Sequence, residues 1–221
     1  MSQTEELQVA QSAAERLVGD LHPLAACLAS PEIAEAGRGL LLRMPRVRDR
    51  ASLRAFLGWY REELLLPVEM PSIRHAWGHF ARYEPRELIA LDLALARAPE
   101  IRPFAAASRA VGRSQLRRLL PMRDQRLVQR YYRAVESGRA NGWHVLVYGV
   151  VLGLFSLPLH QGTLTYARQT MGGFIGRAAG PLRLRLAECD ALLEEASEPV
   201  AGTLRFEKRD ANEPPALLIC R

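Results

Sequence analysis

The chain has 221 residues, of which 48% are hydrophobic and 24% charged, and at about 150 residues per domain it forms one large domain or at most two. A globule of this length hides about 70% of its unfolded surface, so it needs no metal or disulfide for stability, and disorder throughout is excluded. The net charge is +6, and 29 of the 30 basic residues are arginines. Residues 97–133 hold ten arginines and two acids, a local balance of +8, so the remaining residues sum to −2.

Apolar residues recur at helical spacing between breaks marked by proline or glycine, which predicts an all-α fold, a single-domain multi-helix bundle of roughly ten helices. Asp49 is expected to cap the third of them, and Pro85 to begin the fifth. Breaks are expected at Asn141-Gly142, Pro158 and Pro181. The predicted helices cover residues 4–18, 22–29, 51–66, 70–82, 85–97, 101–119, 123–137, 143–156, 160–178 and 182–196.

The two ends of the chain differ from its middle. We divide it into a polar N-terminal segment (1–20), a helical domain (21–196) and an extended C-terminal tail (197–221), in which prolines occur without helical periodicity. No basic region followed by an apolar one marks a secretory signal, and the three cysteines are far apart, so we expect a cytoplasmic protein without disulfides. The most hydrophobic run, 145–159, is shorter than the roughly 20 residues that span a bilayer, so it predicts a buried core helix.

Glycines recur every four residues in two neighbouring predicted helices. Gly149 and Gly153 lie in the first, and Gly172, Gly176 and Gly180 in or just after the second. Glycine inside a helix costs about 0.5 to 1 kcal/mol relative to alanine, but a glycine ridge lets two helix axes approach closely. The spacing leaves open whether that contact lies within the fold or across a helical dimer.

Arginines form a stripe on the predicted helix 101–119, and the next helix continues it. The spacing is compatible with docking to an acidic protein surface, to a nucleotide-bearing partner or to nucleic acid, and equally with a solvated helix face. The residues of the first helix are Arg102, Arg109, Arg113 and Arg117, and those of the second Arg123, Arg126, Arg130 and Arg133.

Candidate catalytic and metal-binding residues are few. His75 and His79 are four residues apart and could share a metal, but no glutamate follows His75 and no third ligand is evident, so they are weak candidates. The sequence has no nucleophile elbow, P-loop, dinucleotide fingerprint or zinc-protease motif, which favours a protein that is not an enzyme. A metalloenzyme using the two histidines is kept as an alternative.

In residues 104–117 the pair Ser-Arg precedes Gly-Arg and a leucine, and residues 142–149 read Gly-Trp-His-Val-Leu-Val-Tyr-Gly. The first segment resembles a helix of the urease accessory protein UreF family, and the second resembles the Gly-x-His-Pro-Val-x-Phe/Tyr-Gly box of that family. The resemblance covers about residues 24–190 and departs from the family pattern at 32–40, at Val145 and at Arg183-Leu184. Further similar segments are 28–31, 47–57, 156–159 with Tyr166, and 176–182.

The resemblance implies an all-helical, non-catalytic scaffold that forms a homodimer, binds the companion protein UreD/UreH and recruits the GTPase UreG to deliver nickel to the urease apoprotein. Nickel and GTP would be handled by that complex, with no cofactor bound directly, no membrane partner and no nucleic acid. The alternative is an arginine-rich helical protein that binds nucleic acid.

Two groups of residues carry these expectations. The tail 197–221 and five residues are expected to bind partners, and seven residues to fix helix packing, His144 through a hydrogen bond at a helix start. The partner-binding candidates are Arg109, Arg113, Arg117, Arg177 and Tyr166, and the packing candidates are Gly112, Gly142, His144, Gly149, Gly153, Gly176 and Pro181.

Overall fold

The computed structural model describes residues 22–24, 45–121 and 125–210, and all regular structure in these ranges is helical, which confirms the all-α prediction. A π-helical segment, Arg61–Glu69, joins the first two α-helices, and a 3₁₀ turn, Arg102–Phe104, precedes the fourth. The α-helices of these ranges are α1 (Arg50–Tyr60), α2 (Met70–Ala81), α3 (Pro85–Leu95), α4 (Ala105–Arg118), α5 (Arg126–Glu136), α6 (His144–Leu154), α7 (Leu159–Leu182) and α8 (Leu186–Asp210).

Part of the predicted organisation lies outside the described residues. The segment 1–20, the helix 4–18 and most of the helix 22–29 fall there, so the total of roughly ten helices and the separate N-terminal segment stay predictions.

The start of α1 follows from its sequence. The backbone N–H of Ser52 donates to Oδ1 of Asp49 at 2.8 Å, and the N–H of Asp49 donates to Oγ of Ser52 at 3.0 Å. These two bonds satisfy amides that have no partner inside the helix, so the cap predicted at Asp49 is confirmed.

Pro67 does not break the chain into separate helices, although the prediction placed a gap at 67–69. The chain remains helical from Arg50 to Ala81. Proline has no N–H to donate, and the wider π-helical turns of Arg61–Glu69 carry the backbone past it. This segment also sets the position of Glu69, its last residue.

The two later prolines act differently from each other. Pro158 is the residue that precedes α7, as expected, whereas Pro181 lies within the last turn of α7. The helix ends one residue later because Arg183 adopts a left-handed conformation, with φ of 52°. Pro181 is exposed, so the structure shows no packing role for it within the described residues.

The last helix extends into the region predicted to be an extended tail. Residues 197–210 belong to α8, which continues through Pro199. Leu192, Ala196 and Val200 are buried at four-residue intervals, and this apolar stripe supports the helix across the proline. The expectation of an extended chain from residue 197 is therefore wrong for 197–210, and 211–221 lie outside the described residues.

Helix α6 is the centre of the bundle. Every residue from His144 to Leu152 is buried. It packs most extensively on α2 and next on α4, while α7 packs on α8. No helix among the described residues has both the length and the apolar character needed to cross a membrane.

Candidate functional site

A cluster of polar side chains lies in the core where α1, the π-helical segment, α6 and α7 meet. Tyr60 ends α1, Glu69 ends the π-helical segment, His144 begins α6 and Tyr166 lies within α7. His22 approaches from the short described segment 22–24 and places its ring 5.1 Å from that of His144. Glu69 and Tyr60 are fully buried, and the other three side chains are nearly so.

Glu69 is the acceptor at the centre of this cluster. The N–H of Leu24 donates to Nδ1 of His22 at 3.2 Å, so the proton of the ring lies on Nε2, which donates to Oε1 of Glu69 at 2.8 Å. The hydroxyls of Tyr60 and Tyr166 both donate to Oε2, at 2.5 Å and 3.2 Å. The carboxylate therefore has donors on both oxygens.

His144 continues the network on the far side of Tyr166. Because the Tyr166 hydroxyl gives its proton to Glu69, its oxygen accepts from Nε2 of His144, 3.1 Å away. Nδ1 of His144 then has to accept, and Oγ of Ser108 on α4 donates to it at 2.7 Å. The network thus fixes both histidine tautomers and joins α4 to α6 and α7.

Burial and hydrogen bonding set the ionisation of the cluster. Burial would raise the pKa of the Glu69 carboxyl, but His22 and the Tyr60 hydroxyl outweigh it, and the pKa is lowered. Burial lowers the pKa of His144 to about 3 and raises those of Tyr60 and Tyr166 well above the usual range. The hydrogen bonds of the cluster therefore favour the ionised form of the Glu69 carboxyl.

The composition of the cluster also matches a divalent-metal site. His22, Glu69 and His144 place ligand atoms within 4.8 Å of one another, and two histidines with a glutamate bind zinc in many enzymes. A metal ligand must be an unprotonated nitrogen, whereas Nε2 of His22 carries the proton because its Nδ1 receives the Leu24 N–H. In this arrangement the residues form a hydrogen-bonded network, and His22 does not fit as a ligand.

The histidines singled out by sequence lie elsewhere. Nδ1 of His79 is 2.8 Å from the Glu84 carboxylate, and His75 is exposed on the same helix. Among the described residues, His75 and His79 do not form a group of three ligand atoms close enough to share a metal ion. His22 and Glu69 were not predicted, because no local pattern marks two residues that are 47 positions apart in the chain.

A second buried carboxylate positions the loop that leads into α6. Asp92 on α3 accepts from the backbone N–H groups of Asn141 and Gly142, at 2.5 Å and 2.9 Å, and from the Tyr131 hydroxyl at 2.7 Å. Its own carbonyl accepts from Nε1 of Trp143 at 2.9 Å. Gly142 has φ of 74°, so this loop needs glycine there. These bonds hold the residue that precedes His144.

The predicted packing glycines divide into two groups. A Cβ at Gly112 would collide with the carbonyl oxygen of Gly142, so this glycine lets α4 approach the loop before α6. A Cβ at Gly149 would lie 2.5 Å from the carbonyl oxygen of Ile73. At Gly153 it would meet the Phe80 ring, also at 2.5 Å. The glycine spacing left open whether the close helix contact lies within the fold or across a dimer. For α6, the contact lies within the fold.

Gly176 does not pack within the chain. Nothing among the described residues lies within 4 Å of the place where its Cβ would stand, and the same holds for Gly173 and Gly180. Gly176 is exposed, although α7 packs on α8 elsewhere along its length. The packing role predicted for it is therefore absent inside the described bundle.

The partner-binding candidates also separate into exposed and buried residues. Arg109, Arg113 and Arg117 are exposed on α4, and Arg177 is exposed on α7. Tyr166 is 2% exposed and lies in the Glu69 network, so its predicted role as a partner contact is wrong: its hydroxyl is already bonded inside the core.

A comparison with protein families gives one match. The model of the family described as UreF matches residues 47–179, well over half of the chain, from just before α1 into the last turns of α7. Neither the curated proteins nor the solved structures gave a match.

Proposed function

This chain belongs to the urease accessory protein UreF family, and we propose that it acts in urease maturation as a non-catalytic helical scaffold. The observation that carries the proposal is the family match over residues 47–179, which includes the Glu69 network except His22, the Asp92 loop and the arginine stripe of α4. The all-helical architecture supports the same role.

The scaffold acts by binding other proteins. Its partners in this proposal are the companion accessory protein UreD/UreH, the GTPase UreG and the urease apoprotein, and a second copy of the chain forms a homodimer. Nickel and GTP are carried by the partner complex in the cytoplasm, so the chain contributes surfaces and no cofactor of its own. Arg109, Arg113, Arg117 and Arg177 are exposed, as residues of such surfaces must be.

The test is rescue of urease in a strain that lacks UreF. We expect the full chain to restore nickel-dependent urease activity and to co-purify with the accessory proteins. A destabilised variant, Asp92→Ala, is tested beside it. This variant lacks the carboxylate that holds the loop before α6, and it is expected to reduce rescue by lowering the amount of folded chain. Expression of folded full chain without rescue and without co-purification would show that the proposal is wrong.

A further inference from the structure

The surface formed by α4, α5 and the loops beside them is strongly basic. Residues 97–121 and 125–139 contain ten arginines, all of them exposed, and two acids, Glu100 and Glu136. We call these ten side chains the basic face: Arg97, Arg102, Arg109, Arg113, Arg117, Arg118, Arg126, Arg130, Arg133 and Arg139. Within the described ranges a carboxylate lies within 4.0 Å of only one of the ten, Arg117, so most of this positive charge has no acidic partner there.

The arginines of α4 and α5 form two adjoining rows. Arg109, Arg113 and Arg117 follow one another at four-residue intervals, about 6 Å apart along the helix axis. A second row on α5 is made by Arg126, Arg130 and Arg133, which are exposed while Leu127, Val128, Tyr131, Ala134 and Val135 of that helix are buried. The rows are joined where Arg117 approaches the Glu136 carboxylate at 3.5 Å.

Part of the basic face is held in place by the core. The guanidinium of Arg109 lies over the Trp143 ring, 5.9 Å from its centre, and its Nε donates to the Ala105 carbonyl at 3.3 Å. The Trp143 ring is itself fixed through Nε1 to the carbonyl of Asp92. Ordering Arg109 before a partner arrives lowers the entropic cost of binding.

We propose that the basic face docks an acidic helix of a protein partner, one whose carboxylates recur every three or four residues. Such a helix repeats its carboxylates about 4.5 to 6 Å apart, close to the spacing of the arginines on α4, and each carboxylate can accept two parallel bonds from one guanidinium. The identification of the partner as a protein rests on the proposed function.

Nucleic acid fits the basic face less well. Proteins that hold single strands combine basic side chains with exposed aromatic rings on which the bases stack. In the described parts of this face Tyr131 and Trp143 are buried and Tyr132 is half-buried, so no ring is presented to a base. The experiment below therefore includes a DNA duplex as a probe.

The experiment measures binding of the full chain to three labelled probes at the same ionic strength. The probes are a helical peptide with glutamate at every fourth position, its glutamine counterpart, and a DNA duplex of mixed sequence. The test variant is Arg109→Glu/Arg113→Glu. The matched control, Arg46→Glu/Arg86→Glu, makes the same change in net charge at two exposed arginines outside the basic face. Circular dichroism checks that each variant is folded.

We expect the chain to bind the glutamate peptide and not the glutamine peptide, with affinity reduced roughly tenfold or more in Arg109→Glu/Arg113→Glu, because two attractions become repulsions. The control should stay within about twofold. Arg109→Lys/Arg113→Lys, which keeps the charge but loses the paired bonds, should weaken binding several-fold and serves as the test if the glutamate variant does not fold.

Three results would overturn the proposal: equal binding of the two peptides, unchanged affinity in the variants of Arg109 and Arg113, or tighter binding of the duplex than of the glutamate peptide. The last would assign the basic face to nucleic acid. These outcomes are independent of the urease rescue experiment, so rescue by a chain that ignores the acidic peptide would leave the proposed function standing and remove the docking inference.

Discussion

Helices α6 and α7 carry glycines at the same four-residue spacing, yet they use them in opposite ways. On α6, Gly149 and Gly153 face α2 at distances that leave no room for a Cβ. On α7, Gly176 and Gly180 face open space. A glycine pattern therefore shows where close approach is possible, and only the neighbouring helix decides whether it happens.

The loop that leads into the buried helix α6 is where we expect a substitution to have the largest effect on stability. We expect Asp92→Ala to lower the free energy of unfolding by about 4 kcal/mol, because it leaves the buried donors of Tyr131 and Gly142 and the half-buried N–H of Asn141 without their acceptor. Denaturant unfolding measures this loss. Asp190→Ala, at an exposed aspartate of α8, should change stability by no more than about 0.5 kcal/mol. A loss below about 1 kcal/mol at Asp92 would contradict the role given to this loop.

Gly149→Ala directly tests the close packing of α6 on α2. Its new Cβ would lie 2.5 Å from the Ile73 carbonyl oxygen and 2.8 Å from the Ala76 Cβ, so α2 and α6 would have to move apart. We expect a loss of about 3 kcal/mol, measured by denaturant unfolding. If the variant is as stable as the parent chain, the close contact between α2 and α6 does not exist in solution.

The buried start of α6 also predicts a pH dependence. The folded pKa of His144 is about 3, below the usual 6.5, so between these values the unfolded chain binds a proton that the folded chain does not. The contribution of His144 to the free energy of unfolding is therefore fully present above about pH 6.5. It is lost as the pH drops toward 3, by about 1.4 kcal/mol per pH unit.

His144→Gln should remove this contribution and flatten the dependence. Unfolding experiments at pH 7, 6 and 5 measure the slope for both chains. His160→Gln, at an exposed histidine of α7, should keep the slope of the parent chain. Equal slopes for the parent chain and His144→Gln would show that His144 is not the buried, neutral group described above.

The smallest effect on stability is expected at the exposed glycine Gly176 of α7. Gly176→Ala adds a methyl group where nothing lies within 4 Å, and alanine is the better helix former, so stability should rise by about 0.5 to 1 kcal/mol. Thermal unfolding at two protein concentrations measures it. A loss of stability that depends on concentration would instead place a second copy against this face of α7.

Local features were predictable because their causes lie within a few residues of each other. The cap at Asp49, the helix start at Pro85 and the buried helix at 145–159 all follow from patterns shorter than one helix. The continuity of the helix through Pro67 and of α8 through Pro199 was not predicted. In α8 the reason is tertiary: buried contacts on both sides of the proline outweigh its cost.

The polar site was predictable only in part. The sequence singled out His144 for a hydrogen bond at a helix start, where the structure shows it bonded to Ser108 and Tyr166. Tyr166 was assigned to the wrong environment, and Glu69 and His22 were missed. Their contacts join residues 22 to 97 positions apart, and no spacing rule reaches so far along a chain.

The sequence by itself determined that this chain is helical, that one helix is buried along its length, and that arginines concentrate on two neighbouring helices. Each of these follows from composition and from a period of 3.6 residues. Only the tertiary structure decided which glycines pack, which tyrosine is buried and which side chains surround Glu69. Those outcomes depend on how the helices meet, and the period of a single helix carries no information about its neighbour.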